Sequence, residues 1–430
     1  MKVGICGLGT VGSGTFNLIL KNNSEIERRI GNQICVAQVG CRRDHPDCDL
    51  SDVHVTRDVF DVVRNPDIDI VIEVIGGIDV ARALVLEAIS NNKHVVTANK
   101  ALIAEHGQEI MVAASEKGVQ VKFEAAVAGG IPIVKAIREG MAANKVEWII
   151  GIINGTSNYI LSKMTESGGS LSFVDVLKDA QELGYAEADP TFDVEGIDAA
   201  HKLTILSSIA FGAPLRFDAI FTEGITQITS DDIDYAGELG FVIKHLGIAR
   251  NQGDTIAMRV HPCLVAADHM LAQVKGVMNA VVVGGDAAGP TMYYGAGAGS
   301  LPTASAIISD VVDIVRSSGA NIVENLGFEK SALISKKVVM VGEVVSRAYL
   351  RLIVSDQPGV MARISTILSQ HKISIESLIQ KNARAGYADV VIITNAILEE
   401  TLDIAVRKLS TMDDVKNDVK RIRIADFFNV

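Results

Sequence analysis

The sequence predicts an α/β protein in three parts: an N-terminal doubly wound domain of the Rossmann type, a second domain of α+β character, and a C-terminal βαββαβ domain. Three observations predict it. A glycine turn, Gly7-Leu8-Gly9-Thr10-Val11-Gly12, stands between a short apolar strand and the start of a helix. Apolar strands and helical runs then alternate to about residue 131, the pattern of a parallel sheet covered on both faces. From about Arg347 the order becomes strand, helix, two strands, helix, strand. A chain of 430 residues has room for two or three domains of ~100–200 residues each.

The first strand, Val3-Gly4-Ile5-Cys6, runs straight into the glycine turn. Gly7 permits the tight turn, Gly9 lets backbone approach a pyrophosphate, and Gly12 allows close packing of helix on strand. Free N–H groups at the helix start, around Thr10 and Val11, favour an anion, so the segment predicts dinucleotide binding. The second strand, Ile34 to Val39, ends in Gly40-Cys41-Arg42-Arg43. An NAD domain commonly carries an acid at that point, whereas the guanidinium groups of Arg42 and Arg43 suit the 2′-phosphate of NADP. NAD stays possible through Asp44. Cys41, His45 and Cys48 lie close together but lack a fourth ligand, and Pro46 makes the segment read as a turn.

Further strands follow at Ile70 to Ile75 and Val95-Val96, with a helix near Val80 to Ile89 between them. Ligands of such sheets sit beyond the carboxyl ends of the strands, where Thr97 and Lys100 fall. Strand Val119 to Phe123 enters a small-residue bend, Glu124 to Pro132, at which the chain leaves the first domain. The expected boundaries are 1–131 for that domain and 132–300 for the second. Val146 to Ile153 reads as a buried strand, and Asn154-Gly155-Thr156-Ser157-Asn158-Tyr159 as a turn able to cap the next helix.

Between Gly184 and Lys202 the chain places Glu187, Asp189, Asp193, Glu195 and Asp198. Gly196 to Phe211 has helical periodicity, with His201, Thr204 and Ser208 on a stripe that reads as wet. Lys202 instead lies on the line of Ile205, Leu206 and Ile209, one turn after Asp198. Two readings stay open on spacing alone. One is an ordinary Asp-to-Lys helix pair with an apolar-covering stem. The other is a lysine in a dry cleft, oriented by Asp198, with acids gathered for a cationic ligand.

Alternating runs at Phe241 to Ala249 and Thr255 to Val260 predict an antiparallel sheet with helices on it, a domain for substrate and a subunit interface. Cys263 could be imagined as a covalent nucleophile, though free cysteine is more often a small buried hydrophobe. A second glycine loop, Tyr293 to Thr303, includes Gly299 and precedes a helix that Pro302 would begin. That helix, 301–318, is expected to pack back on the first domain, with a linker at 319–346 and the last domain at 347–430.

The net charge of −12 argues against a nucleic-acid or anionic-membrane surface. No stretch is long and apolar enough to span a bilayer, and five cysteines without paired spacing fit a reducing compartment, so cytoplasm is expected.

Taken together, the Gly7 to Gly12 fingerprint, Val95 to Leu102, Glu124 to Pro132, Asn154 to Tyr159, Ala186 to Pro190, Gly196 to Lys202 and Gly297 to Ala304 resemble the homoserine dehydrogenase family. The resemblance implies reversible oxidation of L-homoserine to L-aspartate 4-semialdehyde with NAD(P), on the route to threonine, methionine and isoleucine. It implies Lys202 as proton donor, Lys100 as the other active-site lysine, Asp198 as positioning acid, and Glu187 and Asp193 as substrate carboxylates. Thr97, Lys100 and Gly299 would face the cofactor. A monovalent cation, sodium, is implied at Glu124, Val127, Gly129 and Ile131 through backbone oxygens. The C-terminal segment, with its Asp356-Gln357-Pro358-Gly359-Val360 turn, resembles an ACT domain. It implies threonine as an effector, or assembly without one, in a homodimer or homotetramer. No kinase-like region precedes the strand at Lys2, which fits the monofunctional form rather than the fusion with aspartokinase. A non-catalytic nucleotide sensor, and a dehydrogenase for another amino or hydroxy acid, remain as alternatives.

Overall fold

The computed structural model describes residues 1–43, 45–317, 336–381 and 386–425. Asp44, most of the expected linker and the chain after residue 425 lie outside the described residues.

The first unit runs β1 (Lys2–Cys6), α1 (Thr10–Ile30), β2 (Cys35–Gly40), β3 (His54–Thr56), α2 (Val59–Arg64), β4 (Ile70–Glu73), α3 (Asp79–Ser90), β5 (His94–Thr97), α4 (Lys100–Lys117) and β6 (Val121–Lys122). Its six strands are parallel in the order β3-β2-β1-β4-β5-β6. The strand order reverses between β1 and β4, so a crevice opens at their carboxyl ends. Helix α1 starts at Gly9 without a side-chain cap and stops at Gly31, whose φ of 65° suits a residue without Cβ. Its uncapped first-turn amides stay available to a ligand.

The second unit contains α5 (Ile133–Lys135), β7 (Val146–Ile152), α6 (Gly155–Glu166), α7 (Phe173–Glu182), α8 (Thr191–Val194), α9 (Ile197–Phe211), β8 (Phe221–Thr222), α10 (Ser230–Glu238), β9 (Phe241–Gln252), β10 (Thr255–Ala266), β11 (Met278–Gly285), β12 (Gly289–Ala296) and α11 (Ser300–Ser317). Strands β12-β11-β7-β9-β10 form an antiparallel sheet. Helix α11 returns to the first unit, where Ile307, Val311 and Ile314 share a core with Val3, Ile5, Phe16 and Ile19.

Helix α9 corrects the wet-stripe expectation. His201, Thr204 and Ser208 are all buried, because that face meets α4 of the first unit rather than water. The hydroxyls of Thr204 and Ser208 donate to the Ala200 and Ala213 carbonyls at 2.9 and 2.6 Å. His201 lies between Phe192 and Phe217, with Nε2 3.2 Å from Glu105 of α4.

The last unit comprises β13 (Lys337–Val338), β14 (Val345–Ser355), α12 (Val360–Gln370), β15 (Ile375–Gln380), β16 (Tyr387–Thr394), β17 (Ile397–Leu398), α13 (Glu399–Ser410) and β18 (Lys420–Ile424). Helices α12 and α13 cover one face of the sheet β18-β14-β16-β15, while Tyr349, Val391 and Ile393 on the other pack against Tyr159, Ile160 and Ile233. Strand β18 pairs in parallel with β10, Cys263 opposite Arg423, so the second and third units share one twelve-stranded sheet. Buried ion pairs tie that seam. Arg351 reaches Asp232 across it at 2.7 Å with both groups buried, and Arg423, paired with Glu399 inside the last unit at 2.7 Å, reaches the half-exposed Glu223 across it at 2.5 Å.

Candidate active site

The fold brings Lys100, Glu187, Asp193, Asp198 and Lys202 to one cleft of about 580 Å³, together with Val11, Gly129 and Gly299. Lys202 is 8 % exposed, and its Nζ donates to Asp198 Oδ2 at 2.7 Å and to the Ile153 carbonyl at 2.8 Å. The two readings of the spacing therefore meet: Asp198 and Lys202 form a helix pair one turn apart, and the pair is buried at the wall of the cleft. Lys100, at the first position of α4, places its Nζ 3.1 Å from Asp198 Oδ1 while keeping a side chain 35 % exposed. One carboxylate thus bridges two ammonium groups.

Asp198 is fully enclosed, and burial by itself raises a carboxyl pKa; Lys202 and Lys100 outweigh that and hold it well below the usual range. Asp198 in turn raises Lys100 against the effect of burial. Asp193 shifts upward through burial, partly offset by a hydrogen bond from Asn154. Glu187 is exposed at the rim of the cleft.

Asn154, which the sequence reading places only in a turn able to cap the next helix, also holds two of the cleft's acids. Its Oδ1 caps α6 by accepting from Ser157 N at 2.8 Å, which leaves its amide nitrogen to donate to Asp193 at 2.8 Å and Asp198 at 2.9 Å. An asparagine at a helix start, followed by acids near another helix start, is the signal that could have found it.

On the nucleotide side, the glycines match the steric demands of a dinucleotide cradle. Gly7 has φ +101°, a Cβ on Gly12 would lie 2.1 Å from the Gly7 carbonyl oxygen, and Gly9 faces open space. Ser300 Oγ donates to the Thr10 carbonyl at 2.8 Å, which ties the second glycine loop to the fingerprint. Thr97 is fully buried with its hydroxyl on Glu73 at 2.6 Å, and the cleft is lined instead by its neighbours Ala98 and Lys100. Arg42 and Arg43 are exposed just past β2. Arg57, which sequence reading did not single out, follows the neighbouring β3 and sets Nη1 3.3 Å from the Cys41 carbonyl, adding a third guanidinium at that edge.

Glu124, Val127 and Ile131 are buried behind the cleft. The Glu124 carboxylate accepts from the amides of Val134 and Lys135 at 2.9 and 2.8 Å, and Ala128 and Gly129 both adopt positive φ. Cys263 is buried on β10, with its thiol pushed up to about 12 by burial, which disfavours a nucleophile. Arg57 donates to Cys41 Sγ at 3.4 Å, and no group of three or more His, Cys, Asp or Glu side chains suited to a metal occurs among the described residues.

A Rossmann sheet whose cradle opens onto a buried lysine–carboxylate pair is the architecture of an NAD(P)-dependent oxidoreductase. Residues 132–312 match the family model for homoserine dehydrogenase, residues 7–124 that for homoserine dehydrogenase, NAD binding domain, and residues 348–410 that for the ACT domain. A homoserine dehydrogenase of Pseudomonas aeruginosa is 55 % identical over 99 % of this chain and 98 % of its own. The crystal structure of a homoserine dehydrogenase from Thiobacillus denitrificans superposes with a TM-score of 0.94 at 51 % identity, covering 99 % of this chain and 98 % of that one. The enzyme from S. aureus, 32 % identical, superposes at 0.78 over 99 % of both chains. The chain belongs to the homoserine dehydrogenase family.

Proposed function

We infer that the enzyme interconverts L-homoserine and L-aspartate 4-semialdehyde with Lys202 as the proton donor and acceptor and with NADP as preferred cofactor. The observation that carries this is the buried Lys202 ammonium at the point where the glycine cradle and the acidic segment meet. In the reducing direction, reduced NADP, when bound in the glycine cradle, would supply the hydride that adds to the aldehyde carbon. Two of the three N–H groups of Lys202 are held by Asp198 and Ile153, which leaves one to protonate the nascent alkoxide. Asp198, kept ionised by two lysines, fixes that ammonium; Lys100, on its other oxygen, adds positive charge where negative charge develops. Glu187 and Asp193 receive the substrate ammonium. Turnover assayed with homoserine, serine and malate tests the reading; activity on malate alone would replace it.

Arg42 and Arg43 support NADP over NAD, and Arg57 adds to the same charge. A sodium ion held by backbone oxygens of Glu124, Val127, Gly129 and Ile131 suits a loop whose one carboxylate is already occupied by amides. It would stiffen the junction between cofactor and substrate units. We place the enzyme in the cytoplasm as a homodimer or homotetramer. Threonine is the proposed effector of the last domain, while the shared sheet supports a second reading in which that domain serves assembly alone. Titrating threonine into the full-length enzyme separates them, since unchanged velocity leaves only assembly.

A further inference from the structure

One side chain of the cleft is buried with both hydrogen-bonding atoms unmatched. Asn279 lies at the start of β11, is 1 % exposed, and neither its Oδ1 nor its Nδ2 meets a partner among the described residues. A buried amide normally finds partners for both atoms, so an amide orphaned on both in a ligand cleft calls for a complement from the ligand. Its position is tightly set. Asn279 faces Gly295 across the β11–β12 pair, and the next residue, Ala280, pairs with Ile152, one residue before the carbonyl that holds Lys202. A Cβ on Gly297 would fall 1.7 Å from its Oδ1, so the bare backbone of the second glycine loop is what admits the amide.

The chemistry of the complement follows from the orphaned pair, one acceptor and one donor on a single planar group. A carboxylate only accepts and an ammonium only donates, so each charged end of the substrate satisfies half of it. The reacting oxygen of the substrate is a single atom committed to Lys202. A primary carboxamide answers both atoms at once, and the nicotinamide ring carries one. Resting on the oxidoreductase reading, we propose that Asn279 is the cofactor-positioning residue that pairs with the nicotinamide carboxamide and fixes the rotation of the ring over the substrate.

The test is a binding titration. NADPH, its 3-acetylpyridine analogue and 2′-phospho-ADP-ribose, which lacks the ring, are titrated calorimetrically into the wild-type enzyme, Asn279→Ala and Asn279→Leu; the leucine variant keeps the volume should the alanine variant unfold. The acetyl group accepts but cannot donate. Wild type is expected to favour NADPH over the analogue by about tenfold or more, because the analogue leaves Oδ1 unpaired. That ratio should fall to within about twofold in the variants, with affinity for the ringless fragment unchanged. A wild type that does not discriminate, variants that keep its ratio, or variants that lose the ringless fragment as strongly as NADPH would each overturn the assignment. Turnover of homoserine by wild type is measured apart, so failure of the proposed reaction and failure of the amide pairing are distinguishable.

Discussion

The first and last units are both sheets covered by helices, yet they join the middle of the molecule differently. The nucleotide sheet is complete in its own six parallel strands and meets the middle unit by side-chain packing, at α4 on α9, in the core shared with α11 and across the cleft. The last sheet has no boundary of its own on one side, because β18 continues into β10 through backbone hydrogen bonds. A side-chain contact can open to admit ligands; a sheet seam with buried ion pairs does not open without local unfolding. The candidate active site therefore sits at the seam held by side-chain packing, and the domain that matches the ACT model sits at the one held by backbone pairing.

The strongest way to break the comparison is at the cleft. Lys202→Ala should lower kcat by ~10²–10⁴-fold while leaving cofactor affinity nearly intact, as single-turnover kinetics and titration would report. Normal turnover would show that Lys202 is not where the proton is handled. At the seam held by backbone pairing, Arg423→Ala takes from the buried Glu399 its bidentate partner, leaving only Ser346 and a distant Arg259, and should cost about 3 kcal/mol. Calorimetry should then show the middle and last units melting together at lower temperature. Separate melting of the last unit would mean that the shared sheet does not couple them.

Smaller effects sharpen the picture. Arg42→Ala should reduce the preference for NADP over NAD by about tenfold, read from Michaelis constants, if a charge-assisted phosphate contact is lost. Glu124 is raised from 4.5 to about 7 by burial, against the amides of Lys135 and Val134. A carboxyl raised on folding contributes stability fully below its unfolded pKa and loses it as pH rises through the folded value. Melting temperature should thus carry a decline between about pH 4.5 and 7 that Glu124→Gln removes; an identical slope in the variant would assign the decline to other acids.

Much of this was legible in the sequence where the constraint is local. The glycine fingerprint follows from steric limits within one turn, and the conflict of Lys202 with its apolar stripe marked the cleft. The stripe of His201, Thr204 and Ser208 misled because a polar face turned toward another domain has the same spacing as one turned toward water. Asn154 was half legible: its cap is local, but its bonds to Asp193 and Asp198 span long stretches of chain. Asn279 carries no periodic signal, and the pairing of β18 with β10 joins segments far apart in sequence, where two edge strands offer no local mark of each other.

The continuation of β10 into β18 also decides what a shortened chain would be. Cutting away the last unit bares the backbone donors and acceptors that Cys263 and Leu264 now share with Arg423 and Ile424, beside the apolar faces of Tyr159 and Ile160. Such an edge is a template for self-association. The shortened protein should precipitate or form oligomers rather than persist as a smaller enzyme.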